Sequence, residues 1–214
     1  NQHDLLLPGA SRLSQPVVIF GGFLITEEAY RPLAGWIQQA TGAPVRIVPV
    51  SKLDGLATSW GFGWTRLLDR VDISVRELQS KSPTGRVTLI GHSSGGVMLR
   101  PYLVDQTFLG RCFDGATRCN RLITLGSPHQ AVRATPLRAR VDRAFPGCPV
   151  ADRVDYVAVA GRLDPLGSNA STFSARSARR SYRQIMGDAD LEGDGLVPVQ
   201  SALLRGARWI ELPD

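Results

Sequence analysis

The chain has 214 residues, a 43% hydrophobic and 21% charged composition, and a formal net charge of +6. This is the composition of a soluble globular protein and suits one domain spanning residues 1–214, large enough to bury a core without staples. Almost all the positive charge is arginine, Lys52 and Lys81 being the only lysines. Such a surface is compatible with peripheral contact with anionic lipid, but the arginines are scattered and no nucleic-acid-binding module is visible.

No apolar run approaches membrane-spanning length, and residues 1–14 lack the basic region and apolar core of a signal peptide. A cytoplasmic or stroma-like compartment is therefore expected. Cys112, Cys119 and Cys148 cannot all pair within one chain, and their spacing fits no zinc pattern. Free thiols and no bound metal are expected, with a Cys112–Cys119 bridge the alternative in an exported protein.

In chain order, Pro16 to Phe20 (P-V-V-I-F) is a short, continuously apolar run of the kind found in a parallel sheet, ending at Gly21-Gly22-Phe23. Leu33, Trp36, Ile37 and Ala40 then share one helical face, with Pro32 suited to the first turn and Gly42 to the C-terminal cap. Val45 to Val50 reads as a second strand. Residues 51–64 read as a long loop in which Trp60, Phe62 and Trp64 alternate with glycines, followed by a helix from near Thr65 carrying Leu67, Leu68, Val71, Val75 and Leu78. Val87 to Ile90 is the third strand. The helix after it contains Pro101, which removes a backbone donor and should kink or shorten it.

Arg121 to Leu125 is the fourth strand, closing at Gly126-Ser127-Pro128-His129. Residues 130–152 have little periodicity and read as a loop or short-helix excursion over the sheet; with 51–64 they are candidate lid or substrate loops. Val154 to Ala160 is the fifth strand. A polar tract leads to Gly193-Asp194-Gly195-Leu196-Val197-Pro198, then a short helix over Val199 to Leu204, and Trp209, Ile210 and Leu212 belong to a last strand. Alternating strand and helix argue for a mostly parallel sheet of about six strands with helices on both faces, whose ligands gather at the strands' C-terminal ends.

The chemistry centres on Gly91-His92-Ser93-Ser94-Gly95, a G-x-S-x-G directly after a buried strand and before a helix. A serine nucleophile has to stand clear of the sheet on a sharp, strained turn whose neighbours leave no room for side chains. Ser93 is the candidate nucleophile. One oxyanion donor is the backbone N–H after it, on Ser94. The second comes from the loop after an earlier strand, where Phe23 N–H is the candidate and Leu24 the alternative.

The segments V-V-I-F-G-G-F, L-I-G-H-S-S-G-G, L-I-T-L-G-S-P-H and G-D-G-L-V-P occur in the order and spacing of lipase-like α/β-hydrolases. From Pro16 onward the chain resembles the compact lipase-like proteins of plastids and photosynthetic bacteria. More distantly it is similar to bacterial triacylglycerol lipases and lecithin–cholesterol acyltransferase. The resemblance implies an α/β-hydrolase fold, Ser93 as nucleophile and Asp194, in the D-G-x-V-P loop, as the acid. Such families have histidine where this chain has Phe20 or Gly21. Asp164, just past the fifth strand, is a rival acid.

The base is harder to place. Only His3, His92 and His129 are present; His3 is in the terminal tail, His92 should point away from the oxyanion side, and the G-S-P-H histidine, His129, is usually structural in such relatives. The order Ser, acid, His puts the base in the loop after the last strand, beyond Asp214.

The implied activity is a serine ester hydrolase, a lipase or carboxylesterase acting on acyl lipids or related apolar esters without metal or organic cofactor. Phe23, Leu24, Trp60, Phe62, Trp64 and parts of 130–149 would line the acyl site. An acyltransferase using the same nucleophile and a non-catalytic binding protein of this fold are the alternatives.

Overall fold

Described over residues 15–21, 27–51, 53–54, 61–127, 129, 136–161 and 204–212 of a computed structural model, the chain builds six strands: β1 (Val17–Phe20), β2 (Val45–Ile47), β3 (Val87–His92), β4 (Cys119–Leu125), β5 (Asp155–Gly161) and β6 (Arg208–Leu212). They form one sheet in the order β2-β1-β3-β4-β5-β6, and every pairing is parallel. The four described α-helices are α1 (Arg31–Thr41), α2 (Gly61–Gln79), α3 (Ser94–Leu103) and α4 (Pro136–Ala144).

The apolar runs that define β1 and β3 are buried on both faces, as a sheet covered by helices on each side demands. Val18, Phe20, Leu89 and Leu122 face a large core with Leu68 and Val71 of α2 and Met98 and Tyr102 of α3. Val17, Ile19 and Ile90 face a smaller one with Tyr30 and Ile37, on the side of α1. The chain steps one way from β1 to β2 and back over β1 to β3, so right-handed crossovers place α1 on one face and α2 and α3 on the other. Leu68 and Leu89 are fully buried, so truncating either to alanine costs about 2–5 kcal/mol.

Several boundaries differ from the sequence reading, each for a physical reason. β2 stops at Ile47 because Val48 N–H still donates to Ile19 O (2.9 Å) while Pro49 has no donor to continue the ladder. α2 begins at Gly61 rather than Thr65: Trp64 is 6% exposed and meets Phe20 edge-on at 6.2 Å, and that burial outweighs the poor helix propensity of the glycines beside it. Part of the 51–64 loop is thereby helix. Its start is fixed too, since Arg70 grips Asp54 with both terminal guanidinium nitrogens (2.7 and 3.0 Å). Those bonds, with donation from Ser51, hold the Asp54 carboxyl well below the usual range despite its partial burial.

α1 takes Pro32 in its first turn and ends on Gly42 at φ 69, whose N–H donates to Gln38 O (2.8 Å). Trp36 is not in its buried face but 57% exposed; β2 is the outermost strand there, and the stripe that reaches the sheet narrows to Ile37 with Leu33 and Ala34 beside it. α3 stops at Leu103, two residues past Pro101. Residues 130–152 include α4, and the helix expected at 199–204 lies almost wholly outside the described residues. β6 is an edge strand with Trp209 and Leu212 exposed.

Candidate active site

β3 delivers Ser93 to the C-terminal edge of the sheet where the strand order reverses, between the ends of β1 and β4. Helices leave β1 and β3 on opposite faces at that point, which opens the crevice where doubly wound sheets bind ligands. Ser93 has φ 53 and ψ −131. A side-chain-bearing residue held there costs about 1–3 kcal/mol, and its surroundings must over-determine it. They do: Ser93 N–H donates to Leu125 O (3.0 Å), and Gly96 N–H donates back to Ser93 O (3.1 Å).

The elbow's glycines are demanded by contact as well as by turn geometry. A Cβ on Gly91 would fall 2.8 Å from Gly96 N and closer still to Gly96 Cα. One on Gly95 would fall 2.7 Å from Phe20 O and closer to Gly21 O, so the first turn of α3 lies directly on the end of β1. One on Gly96 would run into Ser127, whose hydroxyl is buried there without a hydrogen-bond partner among the described residues.

α3 starts at Ser94, so the Ser94 N–H belongs to a helix N-terminus, where the dipole favours developing negative charge. On the β1 side, a Cβ on Gly21 would fall 2.7 Å from the Tyr30 hydroxyl. The Tyr30 hydroxyl is also 2.8 Å from His92 Nδ1, with the two rings edge-to-face at 5.6 Å. His92 therefore faces α1.

His129 is 1% exposed, and both ring nitrogens are engaged: Arg100 donates to Nδ1 (3.3 Å), and Nε2 is 3.1 Å from Thr124 Oγ1. An arginine donor at Nδ1 places the ring proton on Nε2, which donates to the threonine. Burial, reinforced by the Arg100 charge, pushes the His129 pKa well below its usual value. Arg100, itself fully buried, also donates to Asp142 Oδ1 (3.1 Å) and to Phe145 O, tying α3 to α4. His129 is thus a neutral strut.

A model of the family described as palmitoyl protein thioesterase matches residues 16–164, which hold the whole elbow and the turn after β1. The chain belongs to that family. Membership of the palmitoyl protein thioesterase family makes it an ester hydrolase, and the lipase-like α/β-hydrolase resemblance read from the sequence holds. The mature form of the Bacillus licheniformis lipase BlEst2 superposes with a TM-score of 0.62 at 16% identity, over 95% of this chain and 85% of that one, and shares the fold. An acetyl xylan esterase in an iodinated complex gives a TM-score of 0.46 at 16% identity over 79% of this chain and 93% of that one. The RedJ thioesterase of Streptomyces coelicolor gives 0.40 at 16% identity over 94% and 81%. No curated protein matches in sequence.

Within this palmitoyl protein thioesterase family chain, the described residues bring together Ser93, Ser94 and the end of β1. Phe23, Leu24, Trp60, Asp164 and Asp194 lie outside the described residues, as does His3, and the side chain of Phe62 is not among those described. Trp64 sits in the core behind Phe20. Sequence reasoning missed Tyr30, which carries no motif; its only signal is an aromatic just ahead of α1. Among the described residues no group of His, Cys, Asp and Glu has the makings of a metal site, and no helix is long and apolar enough to cross a membrane. Cys112, Cys119 and Cys148 are all free, so Cys112 and Cys119 do not bridge. A polar groove of about 380 Å³ lined by Arg86, Ala116, Thr117, Asn120 and Arg153 lies at the opposite edge of the sheet from Ser93.

Proposed function

We propose that this protein hydrolyses fatty-acyl thioesters or esters through an acyl-enzyme on Ser93. The observation that carries the reading is the left-handed φ of Ser93, on a turn packed glycine against backbone at the strand-order reversal. That strain has a use if Oγ must stand free to attack. The base takes the Ser93 proton as Oγ bonds to the acyl carbon; the carbonyl oxygen becomes an anion met by the N–H groups of Ser94 and Phe23. Collapse breaks the bond to the thiol or alcohol, which leaves with the proton held by the base; the freed base then deprotonates a water that attacks the acyl-enzyme, and the proton returns to Ser93 Oγ as the fatty acid departs.

Asp194 orients the base in this reading, and the base is a histidine in the chain after β6. Two facts support that position: Leu212 pairs with Gly161, so β6 ends at the same edge as the elbow, and His129 is occupied. Phe23, Leu24, Trp60 and Phe62, with residues from 130–149, form the acyl site, and Trp64 backs it from the core. Palmitoyl-type thioesters come first among substrates because the family's name specifies them. A cytoplasmic or stroma-like setting with peripheral docking on anionic membrane belongs to the same reading.

The test is a fluorophosphonate probe on the full-length protein with peptide mapping, beside hydrolysis of palmitoyl-CoA and p-nitrophenyl palmitate. We expect one adduct, on Ser93, and loss of both activities in Ser93→Ala by about 10⁴-fold or more. An adduct elsewhere, or a Ser93→Ala protein that retains activity, overturns the assignment.

A further inference from the structure

The two donors assigned to the oxyanion hole come from segments far apart in sequence, the turn after β1 and the elbow after β3. Three described contacts converge on one residue between the end of β1 and the elbow. Tyr30 is 7% exposed and stands at the N-terminus of α1. Its ring covers Gly21, the last described residue of the β1 turn, so closely that no Cβ fits between them. Its hydroxyl is 2.8 Å from Nδ1 of His92, the residue before Ser93. Gly21 is pressed from the other side by Gly95. Gly21 is therefore held between the first turn of α3 and one aromatic ring, and that ring is hydrogen-bonded to the elbow.

We propose that Tyr30 is a positioning residue that holds the elbow, and with it the Ser94 donor, at a set distance from Gly21 by bridging Gly21 and His92; this rests on the assignment of Ser93 and Ser94 above. The role assigned to Tyr30 is indirect. It acts through His92, which shares the elbow's backbone with Ser93, and through Gly21, two residues before Phe23. The ring supplies one contact and the hydroxyl the other, so the two are separable by substitution. Losing the hydroxyl leaves Gly21 covered and frees the elbow to shift against the β1 turn by fractions of an ångström. Misplacement by about 1 Å is worth up to about a hundredfold in rate, so a smaller shift predicts about tenfold.

The experiment uses full-length protein, wild type, Tyr30→Phe, His92→Asn and the double variant. Fluorophosphonate labelling of wild type at Ser93 comes first; failure there sinks the active-site assignment and this proposal with it, whereas labelling followed by unaltered Tyr30→Phe kinetics sinks this proposal alone. For Tyr30→Phe we expect kcat to fall about tenfold with KM within about twofold, and binding of an alkyl trifluoromethyl ketone, whose serine hemiketal places an anion in the hole, to weaken about tenfold. The double variant should lose less than the product of the two single losses, since the bridge between the two residues is removed only once. Additive losses, or a fall in kcat with unchanged ketone binding, would overturn the proposal. So would a melting-temperature drop that accounts for the lost activity, which would make the contact merely structural.

Discussion

Gly95→Ala should disable the enzyme while leaving it folded. The alanine methyl would fall 2.7 Å from Phe20 O and 3.0 Å from Gly21 C. Ordinary carbon contacts begin about 0.7 Å farther out, and neither neighbour is a flexible side chain end, so the first turn of α3 must withdraw from β1 by roughly that much. Overpacking of this kind costs about 1–3 kcal/mol. For a chain of this size that lowers Tm by roughly 2–12 °C. The same withdrawal separates the Ser94 N–H from Gly21, and a misfit approaching 1 Å costs up to about 10²-fold, near 2.7 kcal/mol of barrier. Thermal melts and initial rates on a p-nitrophenyl acyl ester measure both losses. A Gly95→Ala enzyme with wild-type Tm and kcat within about threefold of wild type would refute the packing argument, because nothing else in the elbow is free to absorb the methyl.

Gly35→Ala is the matched contrast: the new methyl meets nothing within 4 Å on a helix surface, so urea unfolding should show about 0.5–1 kcal/mol of added stability. His129 stays neutral in the fold below its usual pKa of 6.5, whereas the unfolded chain takes up the proton. Its contribution is therefore present above pH 6.5 and lost as pH falls, at up to about 1.4 kcal/mol per pH unit. His129→Gln should flatten that slope in urea titrations at pH 7.5, 6 and 5, and parallel curves for the two proteins would contradict the assignment. Asp194→Asn should cost about 10⁴-fold in kcat, and Asp164→Asn far less; the reverse ranking in steady-state kinetics transfers the acid role to Asp164.

What the sequence made legible was whatever local chemistry dictates. Continuous apolar runs marked β1 and β3, because a strand buried on both faces has no polar alternation to display. Gly91, Gly95 and Gly96 marked the elbow, because only glycine fits where backbone lies on backbone. The end of β2 was misjudged although Pro49 was in view, since Val45 to Val50 reads as one apolar run until the ladder's donors are counted. The start of α2 was hidden because it depends on Phe20, more than forty residues upstream of Trp64. The roles of Tyr30 and His129 were hidden for the same reason: each is defined by a partner on another element, His92 in one case and Arg100 in the other, and spacing along the chain does not encode those meetings.

The pairing of β1 with β3, from Val17 with Thr88 to Phe20 with Gly91, has a kinetic consequence. About seventy residues of chain, including β2 and two helices, must be accommodated before these strands meet, so closing that loop is among the slower steps of folding. Until then Ser93 has no neighbouring turn to oppose it and no reason to hold a left-handed backbone. A half-folded chain therefore has no working elbow. Hydrolytic competence arrives in one step with the closure of the central sheet, and in a refolding experiment the return of esterase activity should lag behind helix formation and coincide with the burial of Trp64 against Phe20.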